Sequence, residues 1–185
     1  ALRLRAVRQF TNVGGKERKA GEEYYYRETG AYLPLVEEEV LETVNAFILT
    51  DKKALHLRAT KTFVDVFGKK RLAGAEWLVT HDDAESHIPD VYEQVVGEVK
   101  VTVLNSRQYC IVCDPVSDAT GSPQLGKREL RKGEKSFFLR PGERLENGIQ
   151  NVQVLDSEEA LLLRARESFK DGDEVRKPGD RWMIY

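Results

Sequence analysis

The chain has 185 residues, of which 41% are hydrophobic and 32% are charged; its 29 Lys and Arg and 31 Asp and Glu give a formal net charge of −2. This balance excludes a strong overall field that would attract nucleic acid or a membrane surface. No apolar run approaches the roughly 18 residues of a membrane-spanning helix, and two cysteines are too few for a disulfide framework, which favours a reducing compartment.

One six-residue segment returns along the chain. Its clear copies, which begin with Ala-Leu and end with Arg-Ala, are residues 1–6, 54–59 and 160–165. The first two copies stay in register without a gap at an offset of 53 positions (54 − 1). A disguised fourth copy lies at residues 109–112. This period predicts tandem units that are each near the lower size limit for an independent core, so neighbouring units must help to stabilise one another.

Each unit starts with alternating apolar and polar residues, the pattern of a half-buried strand. A charged loop with glycine follows, and then a glycine and an aromatic residue that is expected to anchor the core. The predicted strand cores are Leu2, Leu4, Leu55, Leu57, Ile111, Leu161 and Leu163. The predicted anchors are Tyr24, Trp77, Phe137 and Trp182, and the turn glycines before them are Gly21, Gly74, Gly133 and Gly179.

Later in each unit a proline, Pro34 or Pro89, marks a strand end, and a valine-rich stretch follows. Residues 37–42 contain good helix formers, but their counterpart, residues 92–97, is β-branched and contains a glycine, which favours strand. We therefore predict an all-β protein of tandem small antiparallel sheet modules stacked end to end in an elongated rod. The predicted units are residues 1–47, 48–102, 103–153 and 154–185, the first and last truncated.

The third unit departs most from the pattern. Gly133 lies 24 positions after Tyr109 (133 − 109), whereas Gly74 lies 20 after Ala54 (74 − 54). The difference predicts an inserted loop at residues 115–126, whose Pro, Gly and Ser content is typical of an exposed segment. Such a loop could contact a partner.

Four stretches carry a family resemblance: residues 54–59, 74–79, 109–115 and 132–143. They resemble the repeat region of the major vault protein family, and the resemblance covers the whole chain, as about four consecutive N-terminal repeats of something longer. It implies a structural, non-enzymatic protein without cofactors, whose repeats form the wall of a hollow ribonucleoprotein particle by side-by-side self-association. It also implies a cytoplasmic location with a minor nuclear fraction. The alternative role is a platform for guest proteins on the inner wall, such as the vault poly(ADP-ribose) polymerase.

Several side-chain clusters permit a chemical interpretation, but each has a simpler structural one. Cys110 and Cys113 form a C-x-x-C, yet zinc needs four ligands and no second pair is present, so packing is favoured. Residues 81–87 hold two histidines and three carboxylates, a composition that also suits a solvated loop. Asp114 with Asp118 and Gly121, or residues 171–174, could offer oxygens to calcium but lack the spacing of an EF-hand. We predict no catalytic, cofactor or metal site.

Charge is unevenly distributed within the first unit. Arg3, Arg5 and Arg8 make its beginning basic, whereas Glu37, Glu38 and Glu39 make its end acidic. Charged strands ordinarily discourage uncontrolled pairing at sheet edges. The alternative hypothesis is that the basic and acidic rims of adjacent chains face each other, with Glu37, Glu38 and Glu39 as lateral contacts that fix register.

Overall fold

A computed structural model of the chain describes residues 1–118 and 121–185. The described residues contain no helix and form short antiparallel strands grouped in small sheets. The predicted all-β architecture of small antiparallel modules is thus confirmed. Contacts divide the chain into two units, Ala1–Ile149 and Gln150–Tyr185, which are described separately.

The first unit contains three modules, each named here by its strands. The first comprises β1 (Leu2–Ala6), β2 (Phe10–Thr11), β3 (Glu17–Arg18), β4 (Glu23–Tyr26) and β5 (Glu38–Thr43). The second comprises β6 (Phe47–Ile48), β7 (Lys53–Ala59), β8 (Phe63–Val64), β9 (Lys70–Arg71), β10 (Glu76–Val79), β11 (Ser86–His87) and β12 (Glu93–Lys100). The third comprises β13 (Thr102–Leu104), β14 (Gln108–Cys113), β15 (Arg128–Lys132), β16 (Lys135–Phe137) and β17 (Arg144–Asn151).

Every complete module places its repeated Ala-Leu-type strand at the centre of a three-stranded sheet. The strand orders are β4-β1-β5, β10-β7-β12 and β15-β14-β17. The acidic segment of the first module forms the outer strand β5, so the strand prediction for residues 37–42 is confirmed and the helix is excluded. A register shift between Val95 and Gly97 in β12 recurs between β1 and β5, which shows that the modules share this local irregularity.

Short strands complete the second and third modules. The strand that precedes the central one pairs with a strand that precedes the last: β6 with β11, and β13 with β16. We call β6 and β13 leader strands and β11 and β16 receiver strands. Each leader is followed by a leucine, or ends in one, that is almost fully buried, Leu49 at 3% exposure and Leu104 at 2%.

Each module of the first unit has its own apolar core. Leu4, Ala6 and Tyr24 form the first cluster, and Leu104, Cys110 and Val112 form the third. The second is larger and comprises Leu49, Leu55, Leu57, Ala59, Trp77 and Val79. Full burial of a leucine-sized side chain contributes about 1.5–3 kcal/mol, so these small clusters stabilise single modules rather than one common core.

The third module corrects the predicted turn glycine. In the second module the N–H of Gly74 donates to the carbonyl of Ala59. In the third, Gly126 occupies this place, and its N–H donates instead to Asp114 Oδ1 at 2.7 Å. Both glycines have left-handed φ, 82° and 78°. Gly133 also has positive φ but follows β15, so it is not the counterpart of Gly74.

The aromatic anchor of the third module changes with the glycine. Trp77 lies opposite Leu57 in the second module, whereas Glu129 lies opposite the corresponding Val112 in the third. Phe137 lies in the receiver strand β16 and packs on the third core from there. The prediction that Phe137 replaces Trp77 is therefore wrong, although Phe137 is a core residue.

The same register removes the predicted insertion. Gly126 lies 17 positions after Tyr109 (126 − 109), fewer than the 20 between Ala54 and Gly74 (74 − 54). The segment is shorter than its counterpart and closes with an isolated bridge between Val116 and Pro123. Residues 119 and 120 of the predicted loop lie outside the described residues.

The second unit contains part of a module with the same central pairing. Its strands are β18 (Leu161–Arg164), β19 (Phe169–Asp171), β20 (Glu174–Arg176) and β21 (Arg181–Ile184). β18 pairs with β21, and Leu163 lies opposite Trp182 as Leu57 lies opposite Trp77. β19 and β20 form the small hairpin that β8 and β9 form in the second module.

Candidate functional site

The outward face of the first module is a row of ion pairs across neighbouring strands. Arg3 in β1 lies between Glu23 of β4 and Glu42 of β5, at N–O distances of 2.6 and 2.8 Å. Arg5 pairs with Glu39 of β5. The basic strand and the acidic strand are hydrogen-bonded neighbours in one sheet, so their charges neutralise each other within the module.

This pairing corrects the predicted lateral contact. Glu37 pairs with Arg8, and Glu39 with Arg5, inside the same chain. Glu38 is buried at 8% exposure and does not form a rim. Sequence alternation predicts which residues face outward, but it does not show which strands lie side by side.

The second module repeats the charged outward face. Glu76 of β10 accepts hydrogen bonds from Arg58 and contacts His56 at 2.9 Å, both in the central strand β7. The hydrogen bond from Arg58 lowers the pKa of Glu76 more than partial burial raises it. Lys53 pairs with Glu98 of β12 at 2.9 Å. Such cross-strand pairs contribute modestly to stability because they are partly exposed.

The inward side of each three-stranded sheet carries a buried glutamate that the sequence interpretation did not single out. In the first module Glu38 accepts hydrogen bonds from the hydroxyls of Tyr24, at 2.6 Å, and Tyr32, and from the N–H of Leu35. Burial alone would raise the pKa of Glu38, but these three donors hold it below its ordinary value. The carboxylate thereby ties β4, β5 and the turn between them together.

The second and third modules keep this glutamate and change its donors. Glu93 accepts from the N–H of Asp90 and contacts the ring nitrogen of buried His87 at 2.7 Å. Glu143 accepts from the N–H groups of Val116 and Arg140. The signal in the sequence was the glutamate four positions after Pro34 and Pro89, but polar residues at strand ends are common and do not predict burial.

The histidine cluster at residues 81–87 divides into a loop and a core residue. Asp83 caps Thr80 through the backbone N–H and the hydroxyl, as expected of a turn. His87 is only 3% exposed and stacks on Phe67 with ring centroids 5.8 Å apart. The loop prediction is thus wrong for His87, which lies in receiver strand β11 against Glu93.

An arginine covers the aromatic anchor in each module. The guanidinium carbon lies 4.0 to 4.8 Å from the ring centroid in the pairs Arg18–Tyr24, Arg71–Trp77, Arg131–Phe137 and Arg176–Trp182. Asp65 fixes Arg71 at 2.7 Å, and it also accepts from the N–H groups of Phe67 and Lys69 in the hairpin turn. Burial would raise the pKa of Asp65, but these donors lower it.

The predicted core positions divide by module. Leu4, Leu55 and Leu57 are at most 1% exposed, and Tyr24 and Trp77 are buried. Leu2, Leu161, Leu163, Phe137 and Trp182 are half-buried. Ile111 is a correction: its neighbours Cys110 and Val112 are the fully buried residues of β14, because strand alternation turns Ile111 to the other face.

Both thiols of the C-x-x-C are free and buried, Cys110 at 0% and Cys113 at 5% exposure. Burial raises the pKa of Cys110. Within the described parts of the chain, no group of three or more His, Cys, Asp or Glu residues is arranged to hold a metal ion. The considered calcium donors are engaged elsewhere: Asp118 pairs with Arg140 at 2.6 Å, and Asp171 with Arg176 at 3.3 Å.

An open cleft of about 1040 Å³ separates the second and third modules. Its walls include Trp77 and Phe137 and the mixed charges of Lys69, Glu129 and Arg140. In the chain as described, no helix has the length and apolar character to cross a membrane. The prominent features of the fold are therefore its repeated faces and edges rather than one centre.

Comparison with known families decides between these interpretations. Profiles described as the Major Vault Protein repeat domain match residues 1–35, 47–90 and 153–185, and a second profile of the same description matches residues 101–149. The chain belongs to the major vault protein family. It is 61% identical to "Major vault protein alpha" of Dictyostelium discoideum over 187 aligned residues, with all of the chain covered, and 56% identical to "Major vault protein" of Strongylocentrotus purpuratus. It is 55% identical to "Major vault protein" of Gallus gallus over 188 residues.

The chain covers only 22% of the length of each of these major vault proteins, in their N-terminal region. The division between the two profiles matches the structure. The segment matched by the second profile, residues 101–149, is the module in which Glu129 replaces the aromatic anchor. Major vault protein repeats thus come in two variants in this chain, which differ in the residue opposite the central strand.

Proposed function

We propose that the chain is a non-catalytic wall segment of a large hollow ribonucleoprotein particle. The longer parent polypeptide forms this particle in the cytoplasm, with a minor nuclear fraction, by side-by-side self-association. The observation that carries the proposal is the match to major vault protein repeats in all four modules. A serial array of sheets with separate small cores suits a wall because its stability is roughly a sum of local terms.

The outer strands of the sheets are the surfaces on which the proposal relies. β5 and β12 each have one edge without a strand partner in their sheets, and each exposes a valine, Val40 at 43% and Val96 at 47%. One such contact between chains is weak because its area is small. Many equivalent contacts along parallel chains act together, so the assembly is stable although each contact is not.

The test uses the longer parent protein and electron microscopy. We expect Val40→Lys with Val96→Lys to abolish or severely reduce hollow particles, because two charges then occupy the apolar edge at every lateral contact. The matched control is Val13→Lys with Val64→Lys, which changes valines of similar exposure, 70% and 65%, in or beside the small hairpins. Normal particles from the edge variant, with the control also normal, would contradict the proposal.

A second role, recruitment of a guest such as the vault poly(ADP-ribose) polymerase, is favoured by one feature. Leu125 in the shortened segment of the third module is 87% exposed. Leu125→Ser is expected to leave particles intact and to reduce co-purification of the guest. If the guest is retained in full, this surface is not its platform.

A further inference from the structure

Leader and receiver strands show a fixed pattern in the two modules that contain both. Ile48 of β6 lies opposite Ser86, and Val103 of β13 lies opposite Ser136. The N–H of Leu49 also donates to the carbonyl of Glu85, which extends the pairing by one position. The pairing covers the apolar leader and satisfies its backbone groups.

The first module has a receiver segment without a leader. Tyr32 precedes buried Glu38 by six positions (38 − 32), as His87 precedes Glu93 (93 − 87), so residues 30–32 correspond to residues 85–87. Residues 30–32 lie outside any strand. Beside them Leu33 and Val36 are 85% and 88% exposed.

The corresponding side chains in the second module are better covered. Ile88 and Val91 take the places of Leu33 and Val36, and both are half-buried. The first module thus leaves open a surface that the second covers. A short apolar strand is the chemical form of the cover in the second and third modules.

The second unit has the opposite defect, a leader segment without a receiver. Its turn matches the third module: the N–H of Glu159 donates to the carbonyl of Asp156, as that of Gln108 donates to Asn105. Residues 153–155 therefore correspond to leader strand β13. They lie outside any strand; Val154 is 66% exposed, and Leu155 is half-buried although its counterpart Leu104 is almost fully buried.

We propose that two copies of this chain associate head to tail, with residues 153–155 of one copy forming an antiparallel strand on residues 30–32 of the other. The register of the complete modules places Val154 opposite Ala31 and Gln153 opposite Tyr32. The contact is heterologous, because each copy offers a different surface, and it can therefore extend into short linear chains. This end contact is distinct from the side-by-side packing proposed above and does not depend on it.

Sedimentation equilibrium of the chain tests the association. The average mass is expected to rise above the monomer value of 21.1 kDa with increasing concentration, with a dissociation constant between about 10 µM and about 1 mM because the contact is small. Val154→Asp alone and Leu33→Asp alone are each expected to be monomeric. Both side chains are exposed, so circular dichroism should match the unchanged protein.

Mixing the two variants gives the decisive result. The Leu33→Asp copy keeps its leader segment and the Val154→Asp copy keeps its receiver segment, so an equimolar mixture should form dimers that cannot grow further. Val13→Asp and Val175→Asp, at valines 70% and 67% exposed outside both segments, serve as controls that associate like the unchanged chain. A monomer at all concentrations, persistent association of either single variant, or a mixture without dimers would each overturn the proposal.

Discussion

Tyr24 and Glu38, fourteen positions apart, are joined by a 2.6 Å hydrogen bond in the interior of the first module. Burial is the main cause that raises the pKa of the Tyr24 hydroxyl, and the neighbouring carboxylate adds to it. The hydroxyl is therefore a firm donor at neutral pH. One buried acid thus links the second and third strands of the sheet, between which the central strand β1 lies.

Removal of this donor is expected to destabilise the first unit. Tyr24→Phe keeps the ring and its contact with Arg18 but leaves one lobe of a buried carboxylate without a donor, which should cost about 1–3 kcal/mol. Urea unfolding followed by circular dichroism measures the change. Tyr25→Phe, one position away, is the control, because Tyr25 makes no hydrogen bond to Glu38. Equal loss in both variants would show that the Tyr24–Glu38 bond is not the cause.

Glu38 should make stability depend on acidity. Its pKa is lower in the folded chain than in the unfolded chain, so its contribution is complete above the unfolded pKa and is lost as the pH falls through the folded pKa. Asp65, Glu22 and Glu76 have the same direction. The free energy of unfolding should therefore decrease from about pH 5 to about pH 3.

Glu38→Gln tests the share of this residue in that dependence. The variant should be less stable than the unchanged chain at pH 7, and the difference should shrink at pH 3, where the native carboxyl is itself protonated. Chemical unfolding at both pH values measures the difference. A constant difference would mean that the charge on Glu38 contributes nothing.

The revised turn of the third module is testable with alanine. Gly74→Ala and Gly126→Ala each force a side chain into a left-handed conformation, which costs about 1–2 kcal/mol. Gly97 has no left-handed φ, and a Cβ there meets no atom within 4 Å, so Gly97→Ala should be neutral or slightly stabilising. Thermal unfolding ranks the three. A neutral Gly126→Ala would remove the support for its equivalence with Gly74.

The two thiols should be protected in the folded state. Cys110 and Cys113 are buried and burial raises the pKa of Cys110, so a thiol reagent is expected to react slowly with the native chain and quickly after denaturation. The rate of colour release with a disulfide reagent at pH 8 measures this. A fast phase of one thiol per chain without denaturant would contradict the burial of that residue.

Much of the module could be predicted from the sequence because alternation and repetition are local signals. The buried faces of β1 and β7, the anchors Tyr24 and Trp77, and the strand at residues 38–43 follow from them. The third module could not be aligned correctly, since Glu129 replaces the aromatic residue that marks the register. Arg131 and Phe137 also keep the six-position spacing of Arg71 and Trp77, which makes the wrong alignment attractive.

The candidate surfaces were less predictable because they depend on which strands are neighbours. Arg3 and Glu42 are 39 positions apart, and only the sheet order places them in contact. His87 and Glu93 are close in the sequence, but polar residues there suit a loop equally well. Their burial follows from the pairing of β11 with β6, a contact that spans most of the module.

The position of the leader strand has a consequence for the length of such proteins. A segment that runs from one leader strand through the following outer strand, such as residues 47–100, contains both halves of its own closure. In-frame duplication or loss of that segment therefore joins an outer strand to a new leader of the same kind and creates no new unpaired edge. Genes built from this unit can grow or shrink by whole copies while every internal junction remains chemically familiar.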